Sequence, residues 1–325
     1  MKSQSMYTID EERYRRFDQR DIIFSRSVWD ETCPCYNHRI EENIHSILKE
    51  GRSGYQRADV ALQTASWTVY NTYEGAFSKE QLRPPGEEPE LDSLLQYKVT
   101  DPLLMTKQVK KVARFFGASL VGVTKMDKKW VYTHDRLGNP ITVPDHINNV
   151  IVMVIEMDPF AIGTTPALTA SAAVGIVYSK MAFLIACLGE FIRNLGYDAI
   201  QTGNDTALSI PLALDAGLGE LGRHGLLITP EYGSRARICK VFTDLPLVCD
   251  HPIEFGVQEM CRACRQCAEA CEVEAISFQD EPTFEPVCKS NNPGVLKWPV
   301  DAEKCYSFWC DNGGDCSTCI AVCPY

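Results

Sequence analysis

The chain has 325 residues, 45% of them hydrophobic, and 43 acidic against 32 basic side chains give it a net charge of −11. That length and apolar share predict a folded chain of two domains, and the acidic balance argues against a nucleic-acid partner, which would need a basic face. Of fifteen cysteines, eleven lie from residue 249 onward, an asymmetry that separates a metal module at the end from the body before it.

Residues 1–60 are polar and charged, with turn signals at Glu50-Gly51 and Ser53-Gly54. The stretch from Ile9 to Trp29 is expected to wrap around the main body rather than form a domain. Arg15-Arg16-Phe17 has the core of a twin-arginine signal, but Asp18 to Arg20 follow where an apolar region should stand. The chain as given therefore reads as cytoplasmic, or as a processed form of an exported, membrane-associated protein. Cys33-Pro34-Cys35 lacks the C-x-x-C redox spacing, and Cys33, Cys35, Cys187 and Cys239 read as buried or incidental thiols. Ala58 to Tyr70 reads as a helix, and Arg83 to Pro89 as a loop because its three prolines fix φ and remove donors.

A helix is expected over Leu103–Phe116, opening after Asp101-Pro102 and closing at Gly117. Ala118–Thr124 follows as a strand, Trp130–Val143 as a hairpin excursion around Gly138-Asn139, and Val150–Ile155 as a continuous apolar strand buried on both faces. Ser171–Leu195 is the longest predicted helix. Val174, Val177, Tyr178, Met181, Leu184, Ile185, Leu188 and Ile192 recur at three and four, and Gly196 ends it. Lys180 and Glu190 interrupt the run of about 18 uncharged residues that a membrane span needs. Tyr197–Thr202 resumes as a strand, and Leu226–Thr229 is expected to pair with Arg237–Thr243 across Pro230–Gly233. Alternating strand and helix predict an α/β or α+β sheet domain.

Gly217-Leu-Gly219-Glu-Leu-Gly222 matches the dinucleotide fingerprint G-x-G-x-x-G, but Pro211 sits in the would-be strand and Arg223-His224-Gly225 breaks the helix that should follow. A glycine-rich turn that lets backbone approach a large planar cofactor is the better expectation.

The chain closes on two cysteine runs. Cys261, Cys264, Cys267 and Cys271 have the spacing C-x2-C-x2-C-x3-C, and Cys316, Cys319 and Cys323, followed by Pro324, keep its last three members. In two-cluster ferredoxins the fourth cysteine of each run ligates the other cluster. That logic gives one [4Fe-4S] cluster to Cys261, Cys264, Cys267 and Cys323, and a second to Cys271, Cys316, Cys319 and one further thiol. Cys305 is the expected eighth ligand because Tyr306–Asp315 is long enough to loop back to Cys316; Cys310 and Cys288 are the alternatives. Structural zinc could use C-x2-C pairs, and a disulfide framework belongs to short secreted chains; the rhythm and Pro324 favour iron–sulfur.

Asn204–Gly233 resembles the central block of the reductive dehalogenases. So do Arg237–Pro246, Phe191–Tyr197, Cys305–Trp309, Ile9–Asp18 and Ala65–Tyr70, so that the likeness runs over nearly the whole chain. The resemblance implies a nitroreductase-like corrinoid-binding domain followed by a ferredoxin-like domain with two [4Fe-4S] clusters. Its division would be 1–100 as an N-terminal wrapping segment, 101–250 as the corrinoid-binding core and 251–325 as the two-cluster module. It implies carbon–halogen reduction at a base-off cobalamin, with the Cys261 set beside the corrinoid. None of the six histidines has the D-x-H-x-x-G context of a histidine-on corrinoid. The resemblance also makes Tyr178 the proton donor, Arg237 the cation that stabilises its phenolate, and Asn204 the group that orients substrate or halide. Read from residues alone, Tyr178 is a core tyrosine, Arg237 a solvated surface residue, and Asn204-Asp205 a cap or turn. Trp298 and Trp309 are expected to line a substrate pocket or pack around the clusters, and Lys240 to neutralise part of the corrinoid.

A small organohalide, a low-potential electron donor and a small membrane-anchor subunit are the implied partners. Against the family's pattern, the expectation is of no twin-arginine leader and no tail beyond Tyr325 in the sequence as given, and Glu272 stands where proline is common. Two rival functions are an epoxyqueuosine reductase and a non-catalytic two-cluster electron carrier; the acidic charge speaks against the first, and the size of the front domain against the second.

Overall fold

The structure, a computed structural model, describes residues 7–72 and 96–325, so the loop expected at Arg83–Pro89 lies outside the described residues. The front segment carries α1 (Ile23–Trp29), α2 (Ile44–Glu50), α3 (Arg57–Ser66) and α4 (Thr68–Thr72). The central part runs α5 (Pro102–Phe115), β1 (Leu120–Lys125), β2 (Asn149–Glu156), α6 (Pro159–Ile162), α7 (Leu168–Asn194), β3 (Ala199–Thr202), α8 (Ser209–Asp215), β4 (Glu220–Leu221), β5 (Leu227–Ile228) and β6 (Ala236–Thr243). The cysteine-rich part carries α9 (Val257–Ala263), α10 (Gln266–Glu269), α11 (Ala302–Asn312) and α12 (Thr318–Ala321).

A four-stranded sheet in the order β1-β2-β6-β3 organises the centre, and every neighbouring pair is antiparallel. The fold is thus mixed α/β in content, with an antiparallel sheet. β2 is apolar throughout because it is covered on both sides. Ile151, Met153 and Ile155 face one core with α5 and α7, while Val150, Val152 and Val154 face a second core with α8. β6 alternates the same way, with Cys239 and Val241 on the α7 side and Ala236, Ile238 and Phe242 on the other. Arg237, next in the alternation, therefore points to the α7 side of the sheet.

Two local expectations are corrected. Leu226–Thr229 does not pair with Arg237–Thr243: β5 pairs with β4, Thr229 and Gly233 close a tight turn on each other, and β6 goes between β2 and β3. A fully buried eight-residue strand needs ladder partners on both edges, and only the sheet centre supplies them. The helix expected at Ala58–Tyr70 breaks at Trp67 into α3 and α4. The excursion at Trp130–Val143 is a short hairpin as expected: His134 bridges Pro140 antiparallel, Ile141 N–H donates to the carbonyl of Thr133 and Asp135 N–H to that of Asn139, and the Asp135 carboxylate accepts from the N–H groups of Leu137 and Asn139 in the turn.

α7 is long and apolar enough to cross a membrane by composition, but 67% of that apolar window is buried inside the protein. Its apolar face packs on the sheet, and Gly196, at φ +84°, turns the chain out of it. The front segment lies against both other parts. Arg16 donates to the carbonyls of Val131 and Tyr132, and Ile9 bridges Val295. Arg26, buried, pairs with Asp30 at 2.9 Å and with Glu303 of α11 at 2.5 Å.

Candidate active site

A cavity of about 640 Å³ opens between α7, the α3–α4 junction, the turn at 203–206, the start of β6 and the cysteine-rich part. Tyr178, Asn204 and Arg237 all line it, as do Trp67, Tyr70, His224, Trp309 and Asp315. The sequence placed Tyr178 on the apolar face of its helix; it is half-buried there, at the wall of this cavity rather than in the solid core.

The surroundings of Tyr178 are built from the helix outward. Gly175, one turn earlier, has no side chain, and a Cβ there would stand 2.5 Å from the indole nitrogen of Trp67. Trp67 fills that space and stacks on Tyr178, ring centres 5.1 Å apart and planes 23° off parallel, while Tyr70 meets Tyr178 edge-on at 5.4 Å. Ser179 fixes the helix break that makes this possible: its hydroxyl donates to the carbonyl of Ser66 at 2.7 Å and accepts from the N–H of Tyr70 at 3.2 Å. Gly175, Ser179, Trp67 and Tyr70 were missed as site residues. Their roles depend on two helices meeting, and only the Ala65–Tyr70 likeness hinted at them.

Asn204 donates from Nδ2 to the Tyr178 hydroxyl at 2.6 Å. The turn that presents it is anchored from below. Asp205 accepts from the N–H of Gly203 at 2.8 Å, and Lys240 of β6 donates from Nζ to the carbonyl of Gly203 and to Ser209 Oγ. Burial pushes the Lys240 amine down to about 8 and the Asp205 carboxyl up, each opposed by the other's charge. Lys240 is therefore committed inside the fold, which corrects its expected place beside a corrinoid.

Arg237 shares the cavity with Tyr178, although no hydrogen bond joins them. Its charge opposes the rise that burial imposes on the Asp315 carboxyl, which accepts from Ser171 Oγ at 2.7 Å. Two buried N–H positions on this wall have no partner, Arg237 Nε and His224 Nε2, whereas the Trp309 indole N–H is directed at the Cys305 thiol. His224 Nδ1 accepts from the N–H of Leu226 at 3.2 Å, which puts the ring proton on Nε2. Orphaned buried donors are costly and mark a place where a polar group fits.

The cysteines sort into two sets. Cys271, Cys305, Cys316 and Cys319 line the large cavity, and Cys261, Cys264, Cys267 and Cys323 line a smaller one that shares His224 with it. Backbone N–H groups point at several sulfurs: Arg223 at Cys261 (3.4 Å), Ala275 at Cys271 (3.3 Å) and Thr318 at Cys316 (3.4 Å). Burial, then the charges of Cys316 and Cys271, push Cys305 up to about 12; burial, then Cys261 and Cys323, do the same to Cys267. Four such thiols ionise together only around a cation that offsets their repulsion. Among the described residues no three His, Cys, Asp or Glu side chains converge on a single metal ion.

Cys305 thus joins Cys271, Cys316 and Cys319. Cys310 instead packs with Cys33, Cys35 and Tyr306, and Cys288 lies near Lys297. The set on the wall beside Tyr178 is that of Cys271, while the set of Cys261 turns toward Arg223. Of the two tryptophans, Trp309 lines the cavity, and Trp298 packs with Cys261 and Cys323 under Arg223 and donates to the carbonyl of Gln279, the second of the two expected places. The glycines of the G-x-G-x-x-G stretch also serve the protein's own backbone: a Cβ on Gly217 would strike the carbonyl of His251, and one on Gly219 that of Ile228.

A family model described as reductive dehalogenase subunit matches residues 122–247. A tetrachloroethene reductive dehalogenase of Sulfurospirillum multivorans is 35% identical over 356 residues, covering 95% of this chain and 71% of that one. Another from Desulfitobacterium hafniense is 40% identical over 272 residues, covering 71% of this chain and 49% of the relative. The chain spans about half the length of several such curated relatives. The solved structure of a catabolic reductive dehalogenase in complex with 3-bromo-4-hydroxybenzoic acid superposes with a TM-score of 0.74 at 22% identity, over 99% of this chain and 43% of that one. At that identity the superposition shows the fold alone.

Proposed function

The chain belongs to the reductive dehalogenase family, and from that premise we propose that it removes halogen reductively from a small organohalide. The observation that carries the reading is the sorting of eight cysteines into two sets of four, one of which shares a cavity with Tyr178, Asn204 and Arg237. The bound groups are two [4Fe-4S] clusters and a base-off corrinoid. The donor sets fit the clusters: Cys261, Cys264, Cys267 and Cys323 would hold one, and Cys271, Cys305, Cys316 and Cys319 the other. The large cavity fits a ring fringed with amide acceptors, for which Arg237 Nε and His224 Nε2 are available donors. On this reading residues 1–100 form the wrapping segment, 101–250 a nitroreductase-like core and 251–325 a ferredoxin-like module.

Replacing a carbon–halogen bond by carbon–hydrogen takes two electrons and a proton and releases halide. When bound, the clusters supply electrons one at a time and the cobalt supplies the centre at which the halogen bond is reduced. Everything else falls to the chain's own side chains. Tyr178 gives up the proton from its hydroxyl. A phenol has an ordinary pKa of about 10, so donation near neutrality needs the phenolate to be stabilised. The Asn204 amide, already donating to that oxygen at 2.6 Å, and the positive charge of Arg237 do this. Trp67 and Tyr70 hold the phenol ring in place and give the cavity an apolar wall that excludes water. A low-potential electron donor and a small membrane-anchor subunit complete the proposed assembly.

The test is an anaerobically reconstituted holoprotein. About eight iron and one cobalt per chain are expected from the ligand count, with halide released from tetrachloroethene under a low-potential reductant. Zinc in place of iron, or iron without cobalt, sinks the reading. Turnover of epoxyqueuosine without any halide release would transfer the chain to the rival chemistry.

A further inference from the structure

Arg223 is 1% exposed, and a guanidinium cannot shed its charge when buried. Its Nε and Nη2 donate to the carbonyl of Cys261 at 3.0 and 2.6 Å, and its Nη1 to the carbonyls of Ser277 and Gln279 at 2.8 and 2.6 Å. The guanidinium also lies 4.7 Å over the ring of Trp298. All of these partners are neutral, and among the described residues no carboxylate pairs with Arg223. A cation taken so far from water is strongly unfavourable unless an anion stands close by. The thiols that share its small cavity, beside His224 and Tyr325, are those of Cys261, Cys264, Cys267 and Cys323. Neutral thiols would not balance it, whereas four thiolates around an iron–sulfur cluster would.

We propose that Arg223 is the fixed counter-charge of the cluster held by Cys261, Cys264, Cys267 and Cys323 and raises its reduction potential; the inference rests on the reading that these thiols hold such a cluster. Reduction adds one electron and no proton to the cluster, so the reduced form carries one more negative charge and gains more from the cation than the oxidised form does. Net charge and hydrogen bonds to sulfur are the levers that set cluster potentials, and Arg223 supplies both, the second through its backbone N–H to Cys261 Sγ at 3.4 Å. It acts as a positioning residue, through the cluster and not on substrate.

The experiment is an anaerobic dithionite titration of the holoprotein followed by electron paramagnetic resonance, with Cys264→Ser identifying which signal belongs to this cluster. Arg223→Met is expected to make this cluster at least tenfold harder to reduce, about 59 mV for one electron, with the other cluster and the iron content unmoved. Arg223→Lys, which keeps the charge but not the forked donor geometry, is expected to stay within tenfold of the unaltered protein. An unchanged midpoint in Arg223→Met overturns the proposal, as does a shift of the same size in Arg223→Lys, which would mean a clamp and not a charge. If Arg223→Met fails to fold, Arg223→Lys alone decides: a tenfold or larger fall refutes the role of charge. Unaltered protein that holds no cluster on these thiols overturns the reading beneath the inference as well, and the iron count tells that failure apart from the others.

Discussion

Arg26 joins α1 to α11, the helix that carries Cys305, and Arg26→Met removes the cation from that junction. Side chains of Arg26 and Asp30 are 4% and 6% exposed and that of Glu303 20%, with contacts at 2.9 and 2.5 Å. Breaking a buried ion pair from one side costs about 3–5 kcal/mol, because the other charge stays behind. Asp30 keeps the Thr32 hydroxyl at 2.6 Å and Lys289 at 3.4 Å, and Glu303 reaches water, so the lower end, about 3 kcal/mol, is expected. Against a typical stability of about 5–15 kcal/mol that loss is large. Anaerobic urea unfolding of the holoprotein measures it, with Glu303→Gln and the double variant completing a cycle whose coupling is expected to reach at least about 1 kcal/mol. The acid side has a definite sign. Hydrogen bonds from Thr32 and Arg26 hold the Asp30 carboxyl well below its ordinary 3.8. Its contribution is therefore present above 3.8 and is lost as pH falls toward the lower folded value. Arg26→Met should flatten that acid limb. Unfolding within about 0.5 kcal/mol of the unaltered protein, the range of ordinary surface changes, would refute the reasoning.

Tyr178→Phe should lower halide release by about 100-fold or more, the usual worth of a positioned proton donor, with iron and cobalt content retained; undiminished turnover removes Tyr178 from the role. Cys305→Ser should halve the iron, from about eight to about four per chain, whereas Cys310→Ser should leave it alone, and the reverse result would exchange the two. Burial, then the charge of Asp127, push the Asp215 carboxyl up to about 6. The folded protein thus disfavours its ionised form above that value and recovers stability as pH falls from 6 toward 3.8. Asp215→Asn should be the more stable protein at pH 7, by up to about 2 kcal/mol after solvent screening, with the gap closing near pH 4. Gly175→Ala should push the indole of Trp67 off Tyr178 and alter tryptophan fluorescence, and an unchanged spectrum would count against the packing described.

Short-range chemistry was legible in the sequence. Thiols at i, i+3 and i+6 in one turn share a ligand set whatever surrounds them, and the Asp101-Pro102 start and Gly117 stop mark α5 by local rules alone. Pairing of strands far apart was not: β6 looks like a partner for the segment just before it, and only the need of a doubly buried strand for two neighbours sends it to the middle of the sheet. The aromatic wall was hidden for the same reason. Nothing around Trp67 breaks a helix by propensity; the break is held by Ser179, more than a hundred residues away in sequence. Lys240 looks available as a letter, and its burial against the carbonyl of Gly203 and the hydroxyl of Ser209 takes it out of the cavity.

The phenol and its aromatic neighbours come from different pieces of chain. Tyr178 belongs to the helix that caps the sheet, but Trp67 and Tyr70 belong to a short stretch that takes no part in the strand ladder and packs on that helix, tied to it through Ser179 and through Gln63, which donates to Ser171 Oγ. Bulkier or slimmer side chains at Trp67 and Tyr70 therefore reshape the cavity wall without touching the strand ladder. Under the proposed function, selection among halocarbons would act on that wall and leave the strand ladder alone.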